Sequence, residues 1–286
     1  MGVSYKPARP EHDKKEKKIK TYSRVLTIAG SDSGGGAGIQ ADLKTFSALG
    51  CYGMSVITAL TAQNTVEIKG VYPVLPEFIA DQIDVVVGDM GTDAVKIGML
   101  HSREVIETVA DRLMYHNCSH IVLDPVMIAK SGDKLLREDA IAALRLKLFT
   151  LAEIITPNLP EASVLLKREI TTVEEMPRAA RELAEMGCCN VLLKGGHLSM
   201  DQTMDLLYMG EKGIIVKFDG KRVNTINSHG TGCTLSSAIA ANLAKGQALT
   251  FAVKNAKEYI TNALIEGANF RIGSGHGPAC GIIPGL

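Results

Sequence analysis

Asn227-Ser228-His229-Gly230-Thr231-Gly232-Cys233-Thr234, running directly into Leu235-Ser236-Ser237-Ala238-Ile239-Ala240-Ala241-Asn242-Leu243-Ala244, is a glycine-bearing turn that opens into a small-residue helix. Gly230 and Gly232 let the backbone bend closely and present N–H groups without Cβ obstruction. The helix start adds unpaired N–H groups and the positive end of a dipole. Together they predict a pocket for an anion, most naturally a phosphoryl group. Cys233 falls in the first turn, where a thiolate is stabilised and a thiol is expected to ionise more readily. The plainer alternative is a loop-to-helix junction with a buried cysteine.

Working outward, short β-branched runs alternate with longer amphipathic stretches from Arg24 onward. Val25 to Ala29, Ser55 to Leu60, Ala94 to Ile97, Ile121 to Asp124, Ile154 to Thr156 and Val191 to Lys194 read as strands. Helices are expected from Ala37 to Leu49, from Pro76-Glu77, from Thr231 to Lys245 and from Leu249 to Gly267. Continuous apolar strands alternating with helices imply an α/β fold, a mostly parallel sheet flanked by helices on both faces. Leu206 to Met209 and Ile214 to Phe218, joined by Gly210-Glu211-Lys212-Gly213, predict a small antiparallel hairpin on one edge. With no fixed-period repeat and no interdomain linker, residues 24–286 read as a single domain. Residues 1–23 carry the charge run Glu11-His12-Asp13-Lys14-Lys15-Glu16-Lys17-Lys18 and are expected to form a disordered tail. That segment lacks the apolar centre of a secretory signal.

Composition narrows the function. With 46% hydrophobic and 22% charged residues, the 286-residue chain has the make-up of a globular protein with a sizeable core. Its 31 basic and 31 acidic residues cancel, so no global field favours nucleic acid or an anionic membrane. The cysteines show no C-x-x-C pair and no metal-type spacing, which fits free thiols in a reducing, cytoplasmic compartment. No apolar run reaches membrane-spanning length. His101, His116, His120, His197 and His276 are scattered and read as structural or exposed. His229 reads as a polar anchor or turn residue, without a catalytic role.

The strand ends carry the stronger signal. Gly30-Ser31-Asp32, Gln63-Asn64, Gly98-Met99, Asp124-Pro125, Thr156-Pro157-Asn158 and Lys194-Gly195-Gly196 follow the successive apolar runs. Polar, small or functional residues therefore recur at the carboxyl ends, where open parallel sheets bind their ligands. Gly36-Ala37-Gly38-Ile39-Gln40-Ala41 satisfies a dinucleotide fingerprint in letters. The second strand ends in Thr61-Ala62-Gln63-Asn64, without the carboxylate that would hold a ribose, so that reading fails. No P-loop motif is present either.

Gln63 offers donors and an acceptor suited to the edge of an amino-substituted heteroaromatic ring; alternatively it caps a loop. Met99 is either core or a polarisable contact to such a ring. Asn158 and Glu161 share one helix face. They form either an N-cap with its capping-box glutamate or an oxygen site for hydrated Mg²⁺ carried by nucleotide phosphates. Asp124 is a second candidate carboxylate for that ion. Lys194, before two glycines, is either a phosphate contact or a solvated lysine.

Leu26-Thr27-Ile28-Ala29-Gly30-Ser31-Asp32, Gly36 to Lys44, Thr58 to Thr65, Lys96 to Leu100, Leu123 to Met127, Ile155 to Glu161, Leu193 to His197 and His229 to Thr234 resemble, in order, the motifs of the bacterial hydroxymethylpyrimidine/phosphomethylpyrimidine kinases of thiamine biosynthesis. The resemblance spans Arg24 to Pro278. It implies a ribokinase-like fold, ATP and Mg²⁺ as cofactors, a small pyrimidine as substrate, and a cytoplasmic homodimer. It implies that Gln63 recognises the pyrimidine and that Gly30, Met99 and Val126 line its pocket. Asn158 and Glu161 match the family's Mg-organising motif, and Gly230, Thr231 and Gly232 match its anion hole. The wider superfamily ends this motif in an aspartate base, whereas this chain, like its thiamine-pathway relatives, has Cys233. The cysteine is expected either to take the substrate proton or to position the substrate while phosphate geometry does most of the work. Pyridoxal kinase, and a non-catalytic pyrimidine-binding regulator, are the alternatives.

Overall fold

The computed structural model describes residues 20–127, 136–196 and 202–279. Most of the expected charged tail, and His197, lie outside the described residues. Apolar and β-branched runs form β1 (Arg24–Asp32), β2 (Tyr52–Gln63), β4 (Ala94–Ile97), β5 (Ile121–Leu123), β6 (Ile154–Ile155) and β7 (Asn190–Lys194). These pair in parallel. Two strands close the far edge antiparallel: β8 (Gln202–Met209) on β7, and β9 (Ile214–Lys221) on β8. The opposite edge carries β3 (Ile68–Pro73), antiparallel to β2. The nine-stranded order is β3-β2-β1-β4-β5-β6-β7-β8-β9.

One face is covered by α1 (Gly38–Ala48), α7 (Thr231–Ala244) and α8 (Leu249–Gly267). Their core, including Phe46, Leu235, Ile239, Val253 and Ile260, packs on Val25, Val122, Ile154 and Leu192 of the sheet. The other face carries α2 (Pro76–Met90), α3 (Arg103–Tyr115), α4 (Glu138–Ala143), α5 (Leu159–Leu166) and α6 (Met176–Ala184) over Leu26, Ile28, Val95, Ile97 and Leu193. Local chemistry sets the helix ends. Pro76 begins α2, Ser102 Oγ accepts the Val105 N–H at the start of α3, and Asn158 with Glu161 forms a complete capping box on α5.

Several strands depart from the sequence reading. β1 and β2 do not stop at Ala29 and Leu60 but run on to Asp32 and Gln63, with a register shift between Ala29 and Ser31. The residues expected to follow those strands are therefore their last rungs. β3 was not foreseen: it is exposed along its whole length and contains Gly70 and Pro73. Such a strand buries no face and shows no alternation. The sheet reverses its direction of growth at β1, which has β2 on one side and β4 on the other. The crevice beyond that switch point is where such sheets bind ligands.

Candidate active site

The turn before α7 crosses this crevice. Gly230 caps the helix at φ +75°, and a Cβ there would overlap the Gly36 carbonyl, so glycine is required at this contact. The turn is pinned by Thr231 Oγ1 donating to Ser228 O at 2.8 Å and by the Thr234 N–H donating to Gly230 O at 2.9 Å. The first helical turn leaves the N–H groups of Gly232 and Cys233 without carbonyl partners of the helix's own. A Cβ on Gly232 would stand 3.5 Å from both Asp124 Oδ2 and Lys194 Nζ. The Gly230–Cys233 turn thus faces a carboxylate and an ammonium group from the ends of β5 and β7.

Asp124 is buried and accepts from Thr156 Oγ1 at 3.0 Å and from Lys194 Nζ at 2.9 Å. Burial pushes its carboxyl up, but Lys194 and Lys96 outweigh this and hold it below the usual range. Burial likewise pulls Lys194 down, and Asp124 and Glu161 overcome it, so Lys194 remains a cation. Glu161 receives the Asn158 N–H at 2.8 Å while Asn158 Oδ1 receives the Glu161 N–H at 2.8 Å. Burial, with Asp124 adding to it, pushes the Glu161 carboxyl up to about 7 against the pull of Lys194. The capping-box reading of this pair is what the structure shows on α5, and Glu161 lies close enough to Asp124 and Lys194 for both to act on its ionisation.

Beneath the turn lies a network that sequence reasoning missed. Asp42 Oδ2 accepts from Thr27 Oγ1 at 2.6 Å and from Lys96 Nζ at 2.8 Å, and its Oδ1 accepts from Ser237 Oγ at 2.6 Å. Burial pulls Lys96 down, yet Asp42, Cys233 and Asp124 raise it above the ordinary lysine range. The expectation of an easily ionised Cys233 is corrected here. Burial pushes its thiol up, and the opposing pull of Lys96 and of the Gly38 N–H does not overcome that. The nearby Asp42 and Asp124 carboxylates add to the rise.

On the other flank, Gly30 and Met99 adjoin: a Cβ on Gly30 would lie 3.6 Å from Met99 Sδ. Val126 lies two residues past Asp124, its N–H donating to the Asp124 carbonyl at 2.8 Å. Asp32 accepts the N–H groups of Gly34, Gly36 and Ala37 at 2.8, 3.0 and 2.8 Å, and so shapes the glycine-rich loop. Burial raises its carboxyl, but His229 and those amides hold it below the ordinary range. His229 Nε2 lies 3.0 Å from Asp32 Oδ2 and 3.3 Å from Gln63 Nε2. His229 is thus the polar anchor that the sequence allowed. Asp32 appeared there only within a motif; its four donors to one carboxylate mark it as structural.

The structure brings Gly30, Gln63, Met99, Asp124, Asn158, Glu161, Lys194 and the Gly230–Cys233 turn to one edge of the sheet, with Val126 next to Asp124. Asp42, Lys96 and Ser237 were missed because nothing in their sequence neighbourhoods links them. A lysine inside an apolar strand was the available clue, since buried lysines are paired.

A doubly covered, mostly parallel sheet with this glycine turn at its carboxyl edge is that of a ribokinase-like small-molecule kinase. The sequence matches the phosphomethylpyrimidine kinase family across residues 32–280, and the chain belongs to that family. It is 50% identical over 257 residues to the hydroxymethylpyrimidine/phosphomethylpyrimidine kinase of Salmonella typhimurium, covering 89% of this chain and 95% of the relative. It also matches the bifunctional thiamine biosynthesis protein ThiED of Geobacter sulfurreducens at 50% identity, spanning 51% of that longer protein. Among solved structures, phosphomethylpyrimidine kinase from Clostridium difficile 630 shares 47% identity at a TM-score of 0.75, covering 84% of this chain and 99% of that one. An ADP complex of Bacillus subtilis pyridoxal kinase shares 38% identity at a TM-score of 0.83, covering 90% and 97%.

Proposed function

We propose that this chain transfers the γ-phosphoryl group of ATP to 4-amino-5-hydroxymethyl-2-methylpyrimidine and then to the resulting monophosphate, in thiamine biosynthesis. One observation carries the reading. The anion turn touches the Gln63 side of the crevice through His229 and the Asp124–Lys194 side through Gly232. A ring recognised by Gln63 and lying against Gly30, Met99 and Val126 therefore holds its hydroxymethyl group beside the phosphoryl site. The relatives named hydroxymethylpyrimidine/phosphomethylpyrimidine kinase, at about half identity, support the same substrate.

Phosphoryl transfer needs alignment and charge neutralisation more than covalent help. The N–H groups of the Gly230–Cys233 turn donate to the transferring phosphoryl oxygens. Lys194 neutralises polyphosphate charge, and Asn158 lines the nucleotide side. Cys233 acts through its minor thiolate fraction, whose Sγ takes the substrate hydroxyl proton as oxygen attacks phosphorus and ADP leaves. Asp124 and Glu161 lie close enough to act on each other's ionisation, an oxygen pair that suits a hydrated ion. Asp124 and Glu161 would hold Mg²⁺ through its waters, supplying further neutralisation of the phosphates.

Residues 24–286 are read as one kinase domain, working as a cytoplasmic homodimer. Among the described residues no helix is long and apolar enough to cross a membrane. The exposed Val71, Tyr72, Leu75 and Phe78 at the β3 edge suit a partner copy, and a monomer by light scattering would reject the dimer. The substrate assignment is tested by comparing turnover of the pyrimidine alcohol with that of pyridoxal. Efficient pyridoxal phosphorylation without pyrimidine product would favour the vitamin B6 reading; binding without ATP consumption would favour a regulator.

A further inference from the structure

We infer that His229, held by Asp32, is the positioning residue that fixes which way round the Gln63 amide meets the substrate, and so selects a 4-amino over a 4-oxo pyrimidine. The inference rests on the pyrimidine reading above.

His229 Nε2 is 3.0 Å from Asp32 Oδ2. That carboxylate already accepts the backbone N–H groups of Gly34, Gly36 and Ala37, an arrangement that suits only an ionised acceptor. A hydrogen therefore sits on His229 Nε2 and points at Asp32. The same nitrogen stands 3.3 Å from Gln63 Nε2, which would set donor against donor. Exchanging the amide oxygen and nitrogen of Gln63 removes the conflict. Oε1 then faces the His229 Nε2 hydrogen, which it shares with Asp32 Oδ2, and the Gln63 Nε2 donates to Thr61 Oγ1, 3.2 Å from the other end of the amide. Thr61 keeps its own hydrogen for Ser31 O at 3.0 Å. Every polar group in the chain Asp32–His229–Gln63–Thr61–Ser31 then meets a complementary partner.

Each heavy atom of the amide retains one unused position: a lone pair on oxygen and a hydrogen on nitrogen. The free edge of Gln63 thus offers an acceptor on the His229 side and a donor on the Thr61 side. A 4-aminopyrimidine edge is its complement, with the amino group donating to Oε1 and N3 accepting from Nε2. The hydroxymethyl-bearing C5 adjoins the amino-bearing C4 on the side away from N3. The amino group on the His229 side therefore directs the alcohol toward Gly230–Cys233, which follow His229 in the turn. A 4-oxo ring, with its N3–H, needs the opposite amide. His229 consequently couples ring choice to delivery of the reacting alcohol.

The experiment measures kcat/KM for the 4-amino alcohol and for its 4-oxo counterpart on wild type, His229→Leu and His229→Gln. Wild type should favour the amino ring on the order of 10²-fold or more. His229→Leu should lower that ratio at least about tenfold, mainly through KM, because the amide is free to turn. His229→Gln, which keeps an N–H for Asp32, should restore most of the ratio. If His229→Leu does not fold, His229→Asn serves: its shorter amide falls short of Asp32, and the ratio should drop likewise. Equal losses on both rings, with the ratio unchanged, overturn the inference and leave His229 a structural residue. Wild type that phosphorylates neither ring overturns it differently, by removing the reading on which it rests.

Discussion

Lys96 Nζ lies 2.8 Å from Asp42 Oδ2, with both side chains fully shielded from water. The pair joins β4 to α1, and through Ser237 it reaches α7 one turn beyond Cys233. Removing one partner of such a pair strands a buried charge, at a typical cost of about 3–5 kcal/mol. Lys96→Met should show that loss in denaturant unfolding, and Lys96→Met combined with Asp42→Asn should recover part of it. A loss below about 1 kcal/mol for the single variant would mean that water or another group compensates the carboxylate.

Glu161 makes stability depend on pH. Its carboxyl titrates at about 7 in the folded chain against 4.5 in its ordinary state. The folded chain therefore binds the proton more tightly, and stability declines as pH rises. The contribution is complete below pH 4.5 and is lost as pH climbs through about 7. Glu161→Gln, neutral throughout, should gain stability relative to wild type above neutrality, on the order of 1–3 kcal/mol, and gain nothing in acid. Thermal unfolding of both proteins across that range checks this; a difference independent of pH would refute it.

Much of this was legible in sequence, and the remainder has physical reasons. Apolar runs such as Val25 to Ala29 and Ala94 to Ile97 announced buried parallel strands, and the turn at Gly230 announced its helix. β3 stayed hidden because an exposed edge strand has no buried face to write into the sequence. Gln63, Asp124, Asn158 and Lys194 were legible as strand-end residues. The partners that tune them were not: Asp32 and His229 are 197 positions apart, and Asp42 and Ser237 are 195 apart. The Cys233 thiol was misjudged because a helix N-terminus is visible in sequence while desolvation appears only once α1 packs against it.

That thiol gives a kinetic prediction. Burial keeps Cys233 protonated at neutral pH, so turnover by a cysteine base should climb with pH through the neutral range. Cys233→Ala should lower turnover by roughly 10²–10⁴ and flatten the profile. Cys233→Asp should restore part of the rate, with less pH dependence. An alanine variant turning over at the wild-type rate would assign catalysis to the anion turn alone.

Gln63→Ala should weaken pyrimidine binding by on the order of 1–3 kcal/mol while leaving ATP affinity nearly unchanged. Separate titrations of the two ligands decide this. Equal losses would identify Gln63 as a loop residue whose amide serves Thr61 and His229 and nothing else.

One site is expected to phosphorylate the same ring twice. A ³¹P NMR time course with ATP, Mg²⁺ and 4-amino-5-hydroxymethyl-2-methylpyrimidine tests it most directly. A monoester signal should rise first and then give way to a diphosphate, with two ADP formed per ring. ATP left unconsumed, or a monoester that accumulates without further conversion, would contradict it.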